Sequence, residues 1–264
     1  MRALRPLLLS ALLLASAAAA DAVVPDGAAA TLRFVHGSVE AVAPDGTRRA
    51  LAVGAPVTAG ERLVTAPQTW ADFDFADGGR VLLQPLTEFA VEEFRLPPVA
   101  PAADVPRESA VFRLLKGSFR TVTGLIGRSD RSRYAVRTGV ATLGVRGTEY
   151  EVRLCQGDCA DDDGQTAVED GLYLSVARGR VALSNETGEL LTDAGRSAFV
   201  RDAQSAIRRL EQRPRFMERG DVTPEVAGKL KRALRTRYEL RLKLTRNPLR
   251  AVPRPPRKAI DPTR

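Results

Sequence analysis

One short pattern recurs along the first two hundred residues and limits what the chain can fold into. An apolar residue, a basic residue, glycine, a polar residue and an apolar residue follow one another in that order. The copies are Val35-His36-Gly37-Ser38-Val39, Leu115-Lys116-Gly117-Ser118-Phe119 and Ala177-Arg178-Gly179-Arg180-Val181. Such recurrence is typical of stacked β units, because a single unit cannot bury its apolar face alone. The spacing is irregular, and chance matches within any β-rich chain are the alternative explanation.

Short alternating segments elsewhere also favour strands. Residues 71–75 alternate apolar side chains with Asp72 and Asp74, which predicts a half-buried strand with both carboxylates facing water. Asp77-Gly78-Gly79 then predicts a turn, and the apolar run 80–83 predicts the second strand of a hairpin. No convincing amphipathic helix precedes Val200. The sequence therefore predicts a mainly β domain over residues 31–200.

The first twenty residues are typical of a secretory signal peptide. Arg2 and Arg5 precede an apolar run over residues 7–14, and Ala18-Ala19-Ala20 provides small residues for cleavage. A retained anchor helix is disfavoured, because the run is shorter than the ~20 residues a membrane span needs. No later segment is apolar enough to cross a membrane. We predict removal of residues 1–20 and a periplasmic or secreted protein of a Gram-negative-type envelope.

The positive charge lies in a predicted C-terminal tail, residues 201–264. This tail holds 19 of the 40 Lys and Arg residues but 7 of the 32 Asp and Glu residues. Thr223 caps a predicted helix whose apolar residues recur every four positions, and Asn247-Pro248 ends it before a Pro-rich stretch predicted to be disordered. The basic residues of this helix are Lys229, Lys231, Arg232, Arg235, Arg237 and Arg241.

Three interpretations of this tail remain open. It is a solvated extension, or it binds an anionic lipid or cell-wall polymer, or its apolar stripe docks on the β domain or on another protein. Export argues against nucleic acid as the partner.

The two cysteines lie in one polar loop. Cys155 and Cys159 in an exported chain predict a disulfide, which closes a small ring and fixes local loop shape. The acidic run Asp161–Asp163 follows. Its carboxylates lack the alternate-residue spacing of a calcium loop, so a solvated loop is favoured over a cation contact.

Catalytic residue patterns are weak. A single histidine, His36, does not support a histidine-based triad or a multi-histidine metal site. The pairs Asp72/Asp74 and Glu92/Glu93 occur by chance in chains of this length, and no phosphate-binding or dinucleotide fingerprint is present. We predict no catalytic residue, no metal site and no cofactor.

The stretch "VRTGVATLGVRGTEYEV", with "LLKGSFRTV" and "AGERLVTAPQTWADFDFADGGRVLLQPLTEF" before it, closely resembles the FecR domain family. The resemblance covers about residues 60–152 and weakens toward Val200. Gly139 replaces the usual proline, and Tyr150 replaces phenylalanine. The matching positions are Gly60, Glu61, Leu63, Thr65, Asp77, Gly78, Gly117, Val136, Thr138, Ala141, Gly144, Val145, Arg146, Gly147 and Thr148.

This resemblance implies a non-catalytic, extracytoplasmic β domain of stacked units, similar to a short β-solenoid or a sandwich. Signalling members carry a cytoplasmic region that acts on a sigma factor and a membrane span. Here we expect a signal peptide in their place, so sigma-factor control is not carried over. The predicted function is binding, sensing or assembly in the cell envelope, with an envelope protein or an anionic polymer or lipid surface as partner. The alternative is an attachment protein held by its basic tail, and an enzyme ranks third.

The motif residues are expected to be structural. Gly139, Gly144 and Gly147 allow turns, bulges or close backbone approach. Arg146 either pairs with a carboxylate under the sheet or is presented to a partner. The motif residues in this prediction are Asp77, Gly78, Gly117, Thr138, Gly144, Val145, Arg146, Gly147 and Thr148.

Overall fold

The computed structural model describes residues 27–96, 108–129, 133–161 and 163–219, together with Gly228. Short strands and two short helices make up this part of the chain. The first strands are β1 (Ala28–His36), β2 (Val39–Val42), β3 (Arg48–Ala50), β4 (Pro56–Thr58), β5 (Arg62–Thr65), β6 (Trp70–Phe75), β7 (Arg80–Leu83) and β8 (Glu88–Arg95). The later strands are β9 (Ser109–Val122), β10 (Tyr134–Arg137), β11 (Thr142–Val145), β12 (Glu149–Cys155), β13 (Gly171–Arg178), β14 (Arg180–Asn185), β15 (Gly188–Asp193), β16 (Ser197–Val200) and β17 (Arg208–Leu210). The helices are α1 (Ile126–Ser129) and α2 (Arg215–Arg219).

The strands form two sheets that share β9. The first sheet has the order β4-β1-β6-β7-β9-β12-β13-β16-β17. The second has the order β3-β2-β5-β8-β9-β10-β11-β14-β15. Residues 109–116 of β9 pair in the second sheet, and residues 117–122 pair in the first. Strands β9 and β10 run parallel, and the other pairings in the described chain are antiparallel.

The hydrophobic core lies between the two sheets. In strands such as β5 and β7 alternate residues are buried, as a two-sheet arrangement requires. The Phe75 ring of the first sheet meets Phe112 of the second at 5.2 Å between centroids, and Phe89 meets Phe119 at 5.1 Å. The sheets are not closed. The predicted mainly β fold class is therefore confirmed.

The glycines of the recurring pattern lie where the chain passes from one sheet to the other. Gly37, Gly117 and Gly179 have φ angles of 86°, 80° and 79°, in the left-handed region that favours glycine. A Cβ on Gly117 would lie 2.6 Å from Thr87 Oγ1 and 2.7 Å from the Leu86 carbonyl oxygen. The corresponding neighbours are Thr69 for Gly37 and Thr148 for Gly179. Glycine is required at these crossovers by both backbone conformation and close packing.

A second recurring element, which we did not recognise in the sequence, supports two of these crossovers. Pro67-Gln68-Thr69 and Pro85-Leu86-Thr87 form equivalent turns, in which Gln68 and Leu86 have positive φ angles of 55° and 56°. Each threonine then accepts a hydrogen bond from the residue after the crossover glycine. Ser38 N donates to Thr69 Oγ1, and Ser118 N donates to Thr87 Oγ1, both at 3.0 Å. The recurring turn thus holds the chain in place at two of the crossovers.

The predicted solvent-facing carboxylates of β6 are in fact buried, although they lie on the face of β6 opposite the core. Asp72 is 2% exposed and Asp74 is 8% exposed. The guanidinium of Arg80 donates to Asp72 at 2.7 Å, and that of Arg33 donates to Asp74 at 2.9 Å. Both carboxylates are thus paired on the outer face, so alternation correctly predicted the face but not its exposure.

The folded unit continues beyond the predicted boundary at Val200. Strand β17 pairs with β16, and α2 packs on the outer face of the first sheet. Phe216 meets Tyr173 edge to face at 4.9 Å, and Met217 is fully buried in the same cluster. The predicted basic helix after Thr223, the Pro-rich end and the signal peptide lie outside the described residues.

Helices in the described part of the chain are short. None of them has the length and apolar character needed to cross a membrane.

Candidate functional site

Many of the sequence motif residues meet at one end of the first sheet, which we call the motif end. Strand β12 runs from Glu149 at this end to Cys155 at the opposite end, which we call the disulfide end. The β6–β7 turn at Asp77 lies at the motif end, because Asp74 pairs with Arg80 and Arg80 pairs with Val122, which in turn pairs with Glu149.

Asp77 fastens the β6–β7 turn to α1. Its Oδ1 accepts a hydrogen bond from Gly79 N at 2.9 Å, and its Oδ2 accepts one from Ile126 N at 3.3 Å. The Asp77 carbonyl oxygen accepts a third from Leu125 N at 3.0 Å. Burial raises the pKa of the Asp77 carboxyl, while these backbone hydrogen bonds act in the opposite direction. The aspartate of the family motif is therefore a structural anchor here.

The Gly147-Thr148 segment is held against two other connections. Gly147 N donates to Gly127 O at 2.7 Å, and Gly147 has a left-handed φ of 64°. Thr148 N donates to Thr123 Oγ1 at 2.9 Å, and Thr148 Oγ1 donates to Arg180 O at 3.0 Å. These bonds fix the turn between β11 and β12, so the side chain of the residue before Gly147 is displayed in a defined position.

That residue, Arg146, is exposed and makes no ion pair with a described residue. Its guanidinium therefore does not pair with a described carboxylate under the sheet, which was one of the two roles predicted for it. Arg128 is also exposed and lies beside it, since a Cβ on Gly147 would be 3.6 Å from Arg128 Cγ. Arg178 is 84% exposed and reaches Glu149 at 3.8 Å. Gly179 packs against the Gly147 carbonyl oxygen, which brings Arg178 into the same neighbourhood.

Two exposed apolar side chains accompany these cations. Leu125 is 62% exposed and Val122 is 42% exposed. Val122, Glu149 and Arg178 are neighbours across β9, β12 and β13. We call the set Val122, Leu125, Arg128, Arg146 and Arg178 the arginine surface.

Beneath the motif end lies a buried tyrosine pair. The hydroxyls of Tyr134 and Tyr150 are 3.2 Å apart. Burial raises the pKa of Tyr134 to about 12 and raises that of Tyr150 well above its ordinary value. Both phenols are therefore neutral at physiological pH, and the pair serves packing and hydrogen bonding within the core.

The remaining motif residues lie elsewhere. Gly117 is at the disulfide end, and Thr138 closes the β10–β11 turn by accepting hydrogen bonds from Val140 N and Ala141 N. Val145 is fully buried. Gly144 is part of β11, opposite Ala135 and Ala182.

Gly139, for which we expected a glycine requirement, has none. Its φ is not in the left-handed region, and a Cβ there would meet no atom within 4 Å. Among the three glycines of this stretch, only Gly147 has the backbone conformation that favours glycine.

The two cysteines form the predicted disulfide, with an S–S distance of 2.03 Å.

In the acidic loop that follows, Asp163 Oδ1 accepts hydrogen bonds from Gln165 N and Thr166 N, both at 2.8 Å, so this carboxylate closes its own turn. Asp162 lies outside the described residues. Within the described ranges, no cluster of three or more potential metal ligands is present.

The carboxylate pairs considered for catalysis are engaged in separate ion pairs. Asp72 and Asp74 each bind their own arginine, as described above. Glu92 accepts from Arg113 and Arg137, and Glu93 accepts from Ser109 Oγ. His36 is half-buried and lies against the Trp70 ring at 5.9 Å.

These features define a two-sheet β domain whose crossovers need glycine and whose motif end displays exposed arginines. Residues 61–182 match the model of the family described as FecR protein, which confirms the resemblance found in the sequence. A search of the curated proteins finds no match.

Two solved structures of a "putative anti-sigma factor" from Parabacteroides distasonis ATCC 8503 are similar to the chain, each with 17% identity and a TM-score of 0.42. The similarity covers 58% of this chain and 61% of theirs. A structure described as a cell surface anchoring domain has 26% identity and a TM-score of 0.23, over 24% of this chain and 82% of that one. The chain thus spans about three fifths of the length of the anti-sigma structures.

Proposed function

We propose that this protein is a regulatory binding module of the cell envelope, which contacts another envelope protein through the arginine surface. FecR domains are regulatory and in general extracytoplasmic. The signal-peptide pattern of residues 1–20 supports export into that compartment. The partner supplies acidic side chains, because Arg128 and Arg146 have no ion pair with a described residue and Arg178 reaches Glu149 only at 3.8 Å.

The observation that carries this proposal is the display of Arg146. The arginine belongs to the family motif, yet its side chain has no ion pair in the described structure, whereas the residues around it are tightly fixed. Arginine beside exposed leucine and valine is typical of binding surfaces, since arginine forms bidentate bonds to carboxylates and apolar neighbours gain from burial. A purely structural arginine would instead be paired, as Arg80 is with Asp72.

A photo-crosslinking amino acid at Leu125, introduced in the full-length protein in its native host, tests the proposal. We expect it to capture an envelope protein, and the same replacement at Val53 gives a matched control. Leu125 and Val53 are each 62% exposed, but Val53 lies in the β3–β4 connection, away from the arginine surface.

Charge reversal at Arg146 completes this experiment. In a background carrying Arg146→Glu, the Leu125 crosslink should disappear, whereas Arg48→Glu, at an exposed arginine on the edge strand β3, should leave it unchanged. Equal crosslinking from Leu125 and Val53, or a Leu125 crosslink that persists with Arg146→Glu, would show that the contact lies elsewhere.

The charge distribution of the sequence favours a second function, attachment to an anionic envelope surface through the tail. Residues after 200 carry 19 of the 40 Lys and Arg residues and 7 of the 32 Asp and Glu residues. A cluster of this kind is attracted to anionic lipid or polymer, and this attraction weakens with salt. Attachment and protein contact are compatible, because they use different parts of the chain.

A further inference from the structure

A cleft of about 250 Å³ opens at the disulfide end, away from the arginine surface. Its apolar wall is formed by Trp70 from β6, Leu86 from the β7–β8 turn and Phe216 from α2, with Cys159 of the disulfide beside them. Arg153 on the outer face of β12 also lines it. The volume lies just below the ~300–1,000 Å³ of typical small-molecule sites, so an occupant must be small.

Arg153 is poorly satisfied for a half-buried guanidinium group. Its Nε donates to Cys159 Sγ and its Nη1 donates to Ser118 Oγ, both at 3.3 Å, and Nη2 has no hydrogen bond to a described residue. It also makes no ion pair with a described residue, although arginine carries five donors. Burial lowers the pKa of Arg153, and the charges of Asp158 and Glu151 act in the opposite direction. The group nevertheless stays charged, since arginine titrates far above neutral pH.

The nearest acidic group on the same strand face is committed to other partners. Glu151 Oε1 accepts from Gln84 Nε2 at 3.0 Å, and Glu151 Oε2 accepts from Arg213 Nη2 at 2.6 Å. Arg153 therefore faces the cleft with strong donor capacity that the described residues around it do not use. A planar carboxylate is the group that matches such a guanidinium best.

A second charge lines the cleft. Asp158 is exposed, and its Oδ1 accepts a hydrogen bond from Gln156 N at 3.0 Å, while Oδ2 has no hydrogen bond to a described residue. Asp158 and Arg153 line the same cleft without forming an ion pair, and the charge of Asp158 still acts on Arg153. The Asp158 carboxylate would repel a ligand that carries only negative charge. A ligand with one negative and one positive group can pair with both Arg153 and Asp158.

We propose that this cleft binds a free α-amino acid with an apolar side chain. The carboxylate of the amino acid binds the guanidinium of Arg153, its ammonium group binds Asp158, and its side chain packs against Trp70 and Phe216. This site is separate from the arginine surface and does not depend on the function proposed for it.

Calorimetric titration of the full-length protein tests the assignment with L-phenylalanine and L-leucine as probes. Two analogues of phenylalanine each lack one charge, namely 3-phenylpropionate without the ammonium and 2-phenylethylamine without the carboxylate. At least one of the two amino acids should bind. If L-phenylalanine binds more tightly than L-leucine, both analogues should bind at least tenfold more weakly than L-phenylalanine. Arg153→Met and Asp158→Asn should each weaken amino-acid binding tenfold or more.

Arg120→Met is the matched control, because Arg120 lies on the outer face of the same sheet but pairs with Glu149 at the motif end. This variant should bind the amino acid unchanged, and circular dichroism should show that all three variants are folded. Absence of binding by both amino acids at millimolar concentration would overturn the proposal. So would undiminished binding by Arg153→Met, or equal affinity for 3-phenylpropionate and L-phenylalanine.

Discussion

The guanidinium of Arg213 donates a hydrogen bond to Glu151 Oε2 at 2.6 Å, and this pair holds the segment before α2 on the outer face of the first sheet. Glu151 also accepts from Gln84 in the β7–β8 turn, whose Oε1 accepts from Ser118 Oγ at 2.6 Å. One buried carboxylate thus joins three parts of the chain. Because Glu151 is buried, loss of its partners leaves a charge that water cannot reach.

The segment after Val200 should therefore contribute to stability. Truncation after Val200 removes β17 and α2 and should lower the free energy of unfolding. Met217→Ala alone should cost about 2–5 kcal/mol, since Met217 is fully buried and its removal leaves a cavity. Urea unfolding followed by circular dichroism measures both effects. Val53→Ala, at an exposed site, should stay within about 0.5 kcal/mol, and an equally small effect of Met217→Ala would contradict the packing described.

Replacement of glycine by alanine should distinguish positions where the fold requires glycine from positions where it does not. Gly117→Ala places a Cβ 2.7 Å from backbone atoms at a left-handed φ, so it should destabilise the protein by more than about 2 kcal/mol. Gly139→Ala has open space and an ordinary φ, and it should stabilise by about 0.4–1 kcal/mol through the unfolded chain. Thermal unfolding of both variants provides the comparison. Similar melting temperatures would argue against the crossover geometry.

Asp77 and Asp202 should titrate on opposite sides of the ordinary aspartate value of 3.8. Burial raises the pKa of Asp77, and the hydrogen bond from Ser205 together with that from Gln204 N lowers the pKa of Asp202. Ionised Asp202 stabilises the folded state at pH values above 3.8, and this stabilisation is lost as the pH falls through the pKa of Asp202 in the folded protein. Protonated Asp77 stabilises the folded state at pH values below 3.8, and this stabilisation is lost as the pH rises through the pKa of Asp77 in the folded protein. Carboxyl-carbon NMR titration measures both, and an Asp77 pKa at or below 3.8 would refute this assignment.

The tyrosine pair should behave as a coupled unit. Tyr134→Phe leaves the buried Tyr150 hydroxyl without this partner and should cost about 1–3 kcal/mol. Tyr150→Phe should likewise be costly, and the double variant should cost less than the sum of the single variants. A double-mutant cycle in urea supplies the coupling energy. Strict additivity would mean that the 3.2 Å contact contributes nothing.

If the tail attaches the protein to an anionic surface, the full-length protein should bind vesicles that contain anionic lipid at low salt. Binding should fall steeply as ionic strength approaches ~0.5 M, where the screening length is a few ångströms. Truncation after Arg219 should abolish binding and keep the β-type circular dichroism. Binding that survives this truncation would assign the contact to the β domain, and neutral vesicles serve as the control.

Much of the candidate site could be located from the sequence, but its roles could not. Asp77, Arg146, Gly147 and Thr148 stood out as motif residues, and the structure brings them to one end of the first sheet. Which of them is buried and which is displayed depends on contacts with residues far along the chain. Arg146 is exposed because the turn holding it is bonded to Gly127, a segment that no local pattern connects with it.

Local chemistry in the sequence by itself determined the mainly β class, the recurrence of the glycine pattern and the disulfide. Alternation, turn residues and the spacing of Cys155 and Cys159 act over a few positions, so they can be recognised without a fold. Only the tertiary structure decided that Asp72 and Asp74 are buried, that α2 docks on the first sheet and that Arg153 faces a cleft. Each of these depends on partners that folding brings together from distant positions, because burial and pairing are properties of the assembled sheets.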